Sequence, residues 1–182
     1  MTKFTFAQRE EGFDNHIEHS IRGYTNLWND VLKYSEYFVE DDTNIVDIGC
    51  STGKLQKAMI LQNTFAPRAN YIGIEVEEDF FGSYDADEKS YTNLSYHRGD
   101  VRGFEFQNCS LITSIFTLQF IQEKERTSII KQIYDGLNPG GAFIFAEKTI
   151  AECPKIHDIR TFTYYDYKRE HFTSDEIGRA HV

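Results

Sequence analysis

A chain of 182 residues, 40% hydrophobic and 26% charged, has the size and balance of one globular domain with a real core. Its 15 Phe and 11 Tyr argue against disorder, and a net charge of −10 argues against any broad nucleic-acid surface or adhesion to anionic membrane, leaving room only for a local basic patch. The opening MTKFTFAQREEGFD has no apolar run of secretory type, no segment approaches a membrane span, and Cys50, Cys109 and Cys153 form no CxxC pair; a reduced, cytoplasmic setting is expected, with neither disulfides nor a metal site.

Residues 1–40 read as an N-terminal helical arm or lid. From Ser20 to Phe38, Ile21, Tyr24, Leu27, Trp28, Val31, Leu32 and Tyr34 fall mostly at helical spacing, until Asp41-Asp42-Thr43-Asn44 breaks the pattern. Residues 41–150 read as the core. A short buried strand is expected at Ile45–Ile48, a helix at Lys54–Gln62 and a second strand at Tyr71–Val76, followed by the acidic run Glu77, Glu78, Asp79. The stretch FGSYDADEKSY is too polar and too short to count as a clear crossover helix. Leu94–Arg98 is a weak strand ending at Gly99-Asp100. Ser110–Phe116 is a strong one, its near-continuous apolar run suiting burial on both faces. Glu123–Gly136 is a helix with Ile129, Ile130, Ile133 and Leu137 on one face; Asn138-Pro139-Gly140-Gly141 stops it, and Ala142–Ala146 is a fifth strand.

This alternation predicts an α/β, Rossmann-like, open and mostly parallel sheet of about five strands with helices on both faces. Residues 151–182 read as a tail in which TFTYYDYKREHF is helical or extended. No strand pair follows Phe145, and the final IGRAHV matches one reading frame of a common sequencing adapter, so a C-terminal truncation is expected. Strand Ala142–Ala146 would then be an exposed apolar edge needing cover from Thr161–Tyr167 or from a second copy, which makes a homo-oligomer, a dimer at its simplest, the expectation.

The chemistry is concentrated in IVDIGCSTGKLQ, Ile45 to Gln56, a strand, glycine turn and helix start. A Walker loop needs four residues between its glycines and a hydroxyl after the Lys; here there are three, and Leu55 follows Lys54. A dinucleotide fingerprint needs three glycines, and only Gly49 and Gly53 are present, with Ser51 between them. The pattern that fits is D-x-G-x-[GS]-x-G, filled by Asp47, Gly49, Ser51 and Gly53. It resembles the first motif of class I S-adenosylmethionine (SAM) dependent methyltransferases. On that resemblance Gly49 lets backbone pass close to the cofactor, and Asp47 reaches either the loop or the cofactor's ammonium. Glu75 closes the second strand, where an acid can accept both ribose hydroxyls. Asp100, beside Val101, follows the third strand at the place of the adenine amino group, although a turn acid after Gly99 would also explain it.

Four stretches tie the chain more closely to one branch: GFDNHIEHSIRGYTNL, DIGCSTG, FTLQFI and IYDGLNPGGAFIFAEK, with a looser match in DYKREHFTSDEI. Together they resemble the carboxy-SAM synthases, which act in tRNA wobble-uridine modification. The resemblance implies that Tyr24 covers the cofactor, that Gly49, Cys50 and Ser51 line it, and that Glu75, Val76, Asp100 and Val101 hold its adenosine. Three departures stand out. The synthases' second-strand acid is Asp followed by Asn, where Glu75-Val76 stands here. The synthases carry Asn where Ile115 stands, and the Arg with which they hold the transferred carboxylate lies in a segment this chain does not reach. Arg22 is a substitute only by its nearness to Tyr24, and a surface role suits it as well.

The expected cofactor is therefore SAM or carboxy-SAM, and the expected activity a one-carbon transfer with a small-molecule ligand of unknown identity. The alternatives are carboxy-SAM synthesis with prephenate as carboxyl donor, and SAM binding without turnover. His16, His19, Tyr24, Glu147 and Lys148 could face the site; the sequence assigns none of them as catalytic.

Overall fold

A computed structural model describes residues 12–172. Residues 1–11 and 173–182, including most of FTSDEI and all of IGRAHV, lie outside the described residues.

Five strands form one parallel sheet: β1 (Asn44–Ile48), β2 (Asn70–Glu75), β3 (Leu94–Arg98), β4 (Cys109–Ile115) and β5 (Leu137–Ala146), in the order β3-β2-β1-β4-β5. The direction of travel reverses between β1 and β4. Right-handed crossovers in opposite directions put their helices on opposite faces. Accordingly α3 (Lys54–Gln62) and α4 (Tyr84–Ser90), with α2 (Tyr24–Phe38), cover one face through Val31, Leu55, Met59 and Tyr84. The other face is covered by α5 (Glu123–Gly136) through Ile129 and Ile133, with Val101 and Phe106 from the loop before β4. β1 and β4 are the central pair, which is why IVDI and CSLITS are buried almost throughout. α1 (Phe13–Ser20) lies over the carboxyl end of β1. The last helix, α6 (Pro154–His171), packs beside it, Tyr164 Oη donating to Ser20 O at 3.0 Å.

Two elements differ from the expectation. FGSYDADEKSY does hold a helical crossover, a 3-10 turn at Glu78–Ser83 running into α4. Its polarity hid it because two aromatic anchors suffice: Phe80 and Tyr84 are buried, while Asp85, Asp87 and Glu88 pair with Lys57 and Arg98. Asn138–Gly141 is part of β5, not a loop ahead of it. The ladder to β4 shifts register there, Cys109 facing Leu137 and Leu111 facing Ala142, so the Pro-Gly-Gly run forms a bulge. The tail segment TFTYYDYKREHF is helical, and Phe145 on edge strand β5 stays exposed.

Candidate functional site

Ligands of open α/β sheets bind where strand order reverses, outside the carboxyl ends of the strands. Here that point is the turn after β1. Gly49 has φ +76°, and a Cβ at that position would collide with the Thr117 side chain. Ser51 also takes a left-handed conformation, at φ +44°. Four of the turn's amides are already engaged. Gly49 N and Cys50 N donate to Ile74 O at 2.8 and 3.1 Å, Ser51 N to Glu75 Oε2 at 2.9 Å, and Gly53 N to Cys50 O at 2.9 Å. A phosphate cradle needs such N–H groups free and aimed at the anion. This turn instead offers a close-packed backbone edge.

On one side of it, Gly49, Glu75, Val76, Asp100 and Val101 line a cavity of about 230 Å³, walled further by Ile74, Thr117, Phe120 and Ile121. Flat apolar walls with two carboxylates suit a nucleoside. Glu75 is 8% exposed, and its other oxygen, Oε1, accepts the amides of Val76 and Glu77, both at 2.9 Å. Burial pushes its carboxyl above the usual range, and the three backbone N–H groups pull against that shift. Asp100 is gripped by Arg102: Oδ1 accepts Arg102 N and Nε, each at 2.9 Å, and Oδ2 accepts Nη2 at 2.5 Å. The Arg102 hydrogen bonds hold the Asp100 carboxyl below its ordinary value. Arg102 also reaches Glu125 of α5 at 3.0 Å, closing the far wall. Sequence reasoning missed Arg102, Glu125 and Thr117. A base two residues beyond Asp100 was the one local signal.

On the other side lies a tighter recess of about 50 Å³ holding Asp47, Tyr24, Trp28 and Ile115 under α1. Asp47 is 4% exposed and accepts Thr113 Oγ1 at 2.7 Å. Desolvation pushes its carboxyl up from 3.8 to about 7. Tyr24 is pushed up to about 12, first by burial and then by the charges of Asp14, Asp47 and Glu18. α1 is tied across this recess: Thr52 Oγ1 donates to Asp14 at 3.1 and 3.2 Å, and Lys54 Nζ sits 2.9 Å from Glu18 Oε1. Cys50 turns its thiol into the core, 3.4 Å from Tyr84 Oη, so only its backbone borders the turn.

A third cavity, about 650 Å³, opens beyond Phe116 against α6 and is lined by Lys148, His157, Arg160 and Lys168. The three residues leaving β4 thus face three cavities: Ile115 the recess of Asp47, Phe116 the α6 cavity, Thr117 the nucleoside-shaped one. Among the candidates the sequence left open, Glu147 anchors the turn after β4, accepting Leu118 N at 2.7 Å and Gln119 N at 3.1 Å. His19 Nδ1 lies 2.7 Å from Asn15 O on its own helix, and the His16 ring sits 5.1 Å from that of Phe172. Arg22 lines a separate recess with Arg160 and Tyr167, not the one that holds Tyr24. Among the described residues no helix is long and apolar enough to cross a membrane.

A methyltransferase-domain family model matches residues 45–141. The carboxy-S-adenosyl-L-methionine synthase of Staphylococcus epidermidis is 39% identical over 175 residues, covering 96% of this chain and 75% of that protein. Two solved structures share the fold. DesVI of Streptomyces venezuelae matches at TM-score 0.60 and 17% identity, over 80% of this chain and 60% of its own. The Methanococcus maripaludis protein mmp1179 matches at TM-score 0.58 and 16% identity, over 98% of this chain and 83% of its own.

Proposed function

This chain belongs to the methyltransferase-domain family, with the carboxy-S-adenosyl-L-methionine synthases among its relatives, and on that premise we propose that it binds SAM across the turn after β1 and transfers a one-carbon group. The observation that carries the reading is the Gly49 turn. Four of its amides are engaged within the protein, its backbone is too close to Thr117 for any Cβ, and it separates a nucleoside-shaped cavity from a recess with a buried carboxyl.

The residues present fit the cofactor. Glu75 and Asp100 would hold the ribose and the adenine amino group, with Val76 and Val101 against the ring. Gly49, Cys50, Ser51 and Gly53 supply the turn. Asp47 would meet the ammonium end, its burial making it responsive to an arriving cation. Tyr24, lying under α1, would cover the reacting end. Bound there, SAM supplies an activated one-carbon group on a sulfonium, and the chain's work is alignment and exclusion of water. At about 50 Å³ the recess is small for a methionyl end, so side chains that line it, such as Tyr24 and Trp28, or α1 itself would give way as the ligand enters.

A second reading, carboxy-SAM synthesis from SAM and prephenate, is favoured by the identity to the S. epidermidis synthase. It has to work with Ile115 where the synthases carry Asn. Further proposals concern assembly and setting. The exposed edge of β5 supports a homodimer, and three free cysteines support a reducing, cytoplasmic environment.

Mass spectrometry of small molecules released from the denatured protein tests the reading. SAM or S-adenosylhomocysteine (SAH) is the expected result. A SAM species heavier by one carboxylate would put the second reading first, and a nicotinamide or phosphate-bearing nucleotide would overturn both.

A further inference from the structure

The amino-acid end of SAM carries two charges, and the recess beside the Gly49 turn answers only one of them at its floor. Asp47 there suits the ammonium. The carboxylate would meet Asp47 and Asp14 as like charges, and a carboxylate taken out of water needs a cation or several donors. Among the described residues, the lining of this recess holds a single cation, Lys54.

Lys54 is the first residue of α3, and no acid stands in that helix's first turn. A helix amino end favours anions over cations, so the stability of α3 does not account for a lysine there. The side chain is nonetheless placed. Nζ lies 5.7 Å from the centroid of the Trp28 ring, which lines the same recess, and 2.9 Å from Glu18 Oε1 on α1. Glu18 itself is not part of the lining. The two paired side chains are 44% and 38% exposed, and an ion pair so open to water is worth little and is readily exchanged.

We propose that Lys54 is the binding residue for the cofactor's own carboxylate, and that it passes from Glu18 to the ligand as the recess fills. This rests on the reading of the cleft as a SAM site and of Asp47 as the ammonium's partner. In the free chain Glu18 neutralises Lys54 and ties α1 across the recess. In the loaded chain the carboxylate takes the Lys54 ammonium by a charge-assisted hydrogen bond, and Glu18 turns to solvent. The exchange releases one of the ties that hold α1 to the turn and α3, while that of Thr52 to Asp14 remains. Capture of the ligand and loosening of α1 are then one event.

The test is calorimetric titration of the full chain with SAM and with decarboxylated SAM, which keeps the nucleoside, sulfonium and ammonium and lacks only the carboxylate. Lys54→Gln is expected to weaken SAM about tenfold or more, the loss of one charge-assisted hydrogen bond. Decarboxylated SAM should bind that variant as it binds the wild-type chain, which also reports an intact fold. Glu18→Gln removes the competitor for Lys54 and is expected to tighten SAM about two- to fivefold, again without moving decarboxylated SAM. Equal losses for the two ligands in Lys54→Gln, or SAM affinity unmoved, would overturn the proposal. Should Lys54→Gln not fold, the Glu18→Gln chain decides alone, and unchanged or weaker SAM binding there overturns the exchange. Failure of both ligands to bind the wild-type chain would overturn the cofactor reading itself, and this assignment with it.

Discussion

At the scale of the residue, one missing carbon and one buried proton govern the site. Gly49→Ala places a methyl where the Thr117 side chain stands, on a backbone at φ +76° that disfavours any Cβ. SAH affinity in that variant should fall about tenfold or more, because the collision moves the turn that both cavities share. Asp47, raised from 3.8 to about 7, titrates in the opposite sense to a salt-bridged acid. Its neutral form is the one the fold favours, so its contribution is complete below the unfolded value and is lost as pH rises towards 7. Asp47→Asn should therefore raise stability at pH 8 by about 2 kcal/mol and flatten the fall between pH 4 and 8, read by urea denaturation across pH. Arg102→Gln frees Asp100 from its clamp. SAH should then bind more weakly by about fivefold, with S-inosylhomocysteine, which lacks the adenine amino group, scarcely affected. Equal losses for the two ligands would show that Arg102 shapes only the wall.

At the scale of the element, the sheet's centre sets the stability and its ends set the chemistry. Ile133 is 1% exposed in the α5 face, and Ile133→Ala should cost about 2–5 kcal/mol in denaturant without altering SAH affinity in the folded fraction. Most of this architecture was legible in the sequence. The apolar runs of β1 and β4, the spacing of Ile129, Ile130 and Ile133, and the chemistry of D-x-G-x-S-x-G each carry their structure locally. What escaped was decided by long-range contact. The crossover through α4 has only two fully buried anchors, Phe80 in the 3-10 turn and Tyr84, too sparse to make a period, and its acids took their meaning from Lys57 and Arg98 outside it. The Pro-Gly-Gly run of β5 read as a stop because its bulge exists only against Cys109 and Leu111. The acids at the strand ends could be placed from sequence, but not their partners. That Glu75 faces three backbone amides and Asp100 faces Arg102 follows from turns whose geometry no spacing rule gives.

At the scale of the whole molecule, β5 is an edge of the parallel sheet among the described residues, and it bears the 58% exposed Phe145. An open apolar edge recruits another strand. The full chain should therefore sediment as a dimer, and Phe145→Lys should shift it to monomer; a wild-type chain that stays monomeric at 100 μM or so would dispose of the dimer. On the proposed reading, the carboxyl ends of β1 to β4 form one cleft for SAM on either side of the Gly49 turn. The most direct measurement is a pair of calorimetric titrations on the same preparation, one with SAH and one with NADH. The structure leads us to expect saturable one-to-one binding of SAH and none of NADH, since four of the turn's amides are already engaged within the protein. Saturation by NADH with no heat from SAH would contradict the account at its centre.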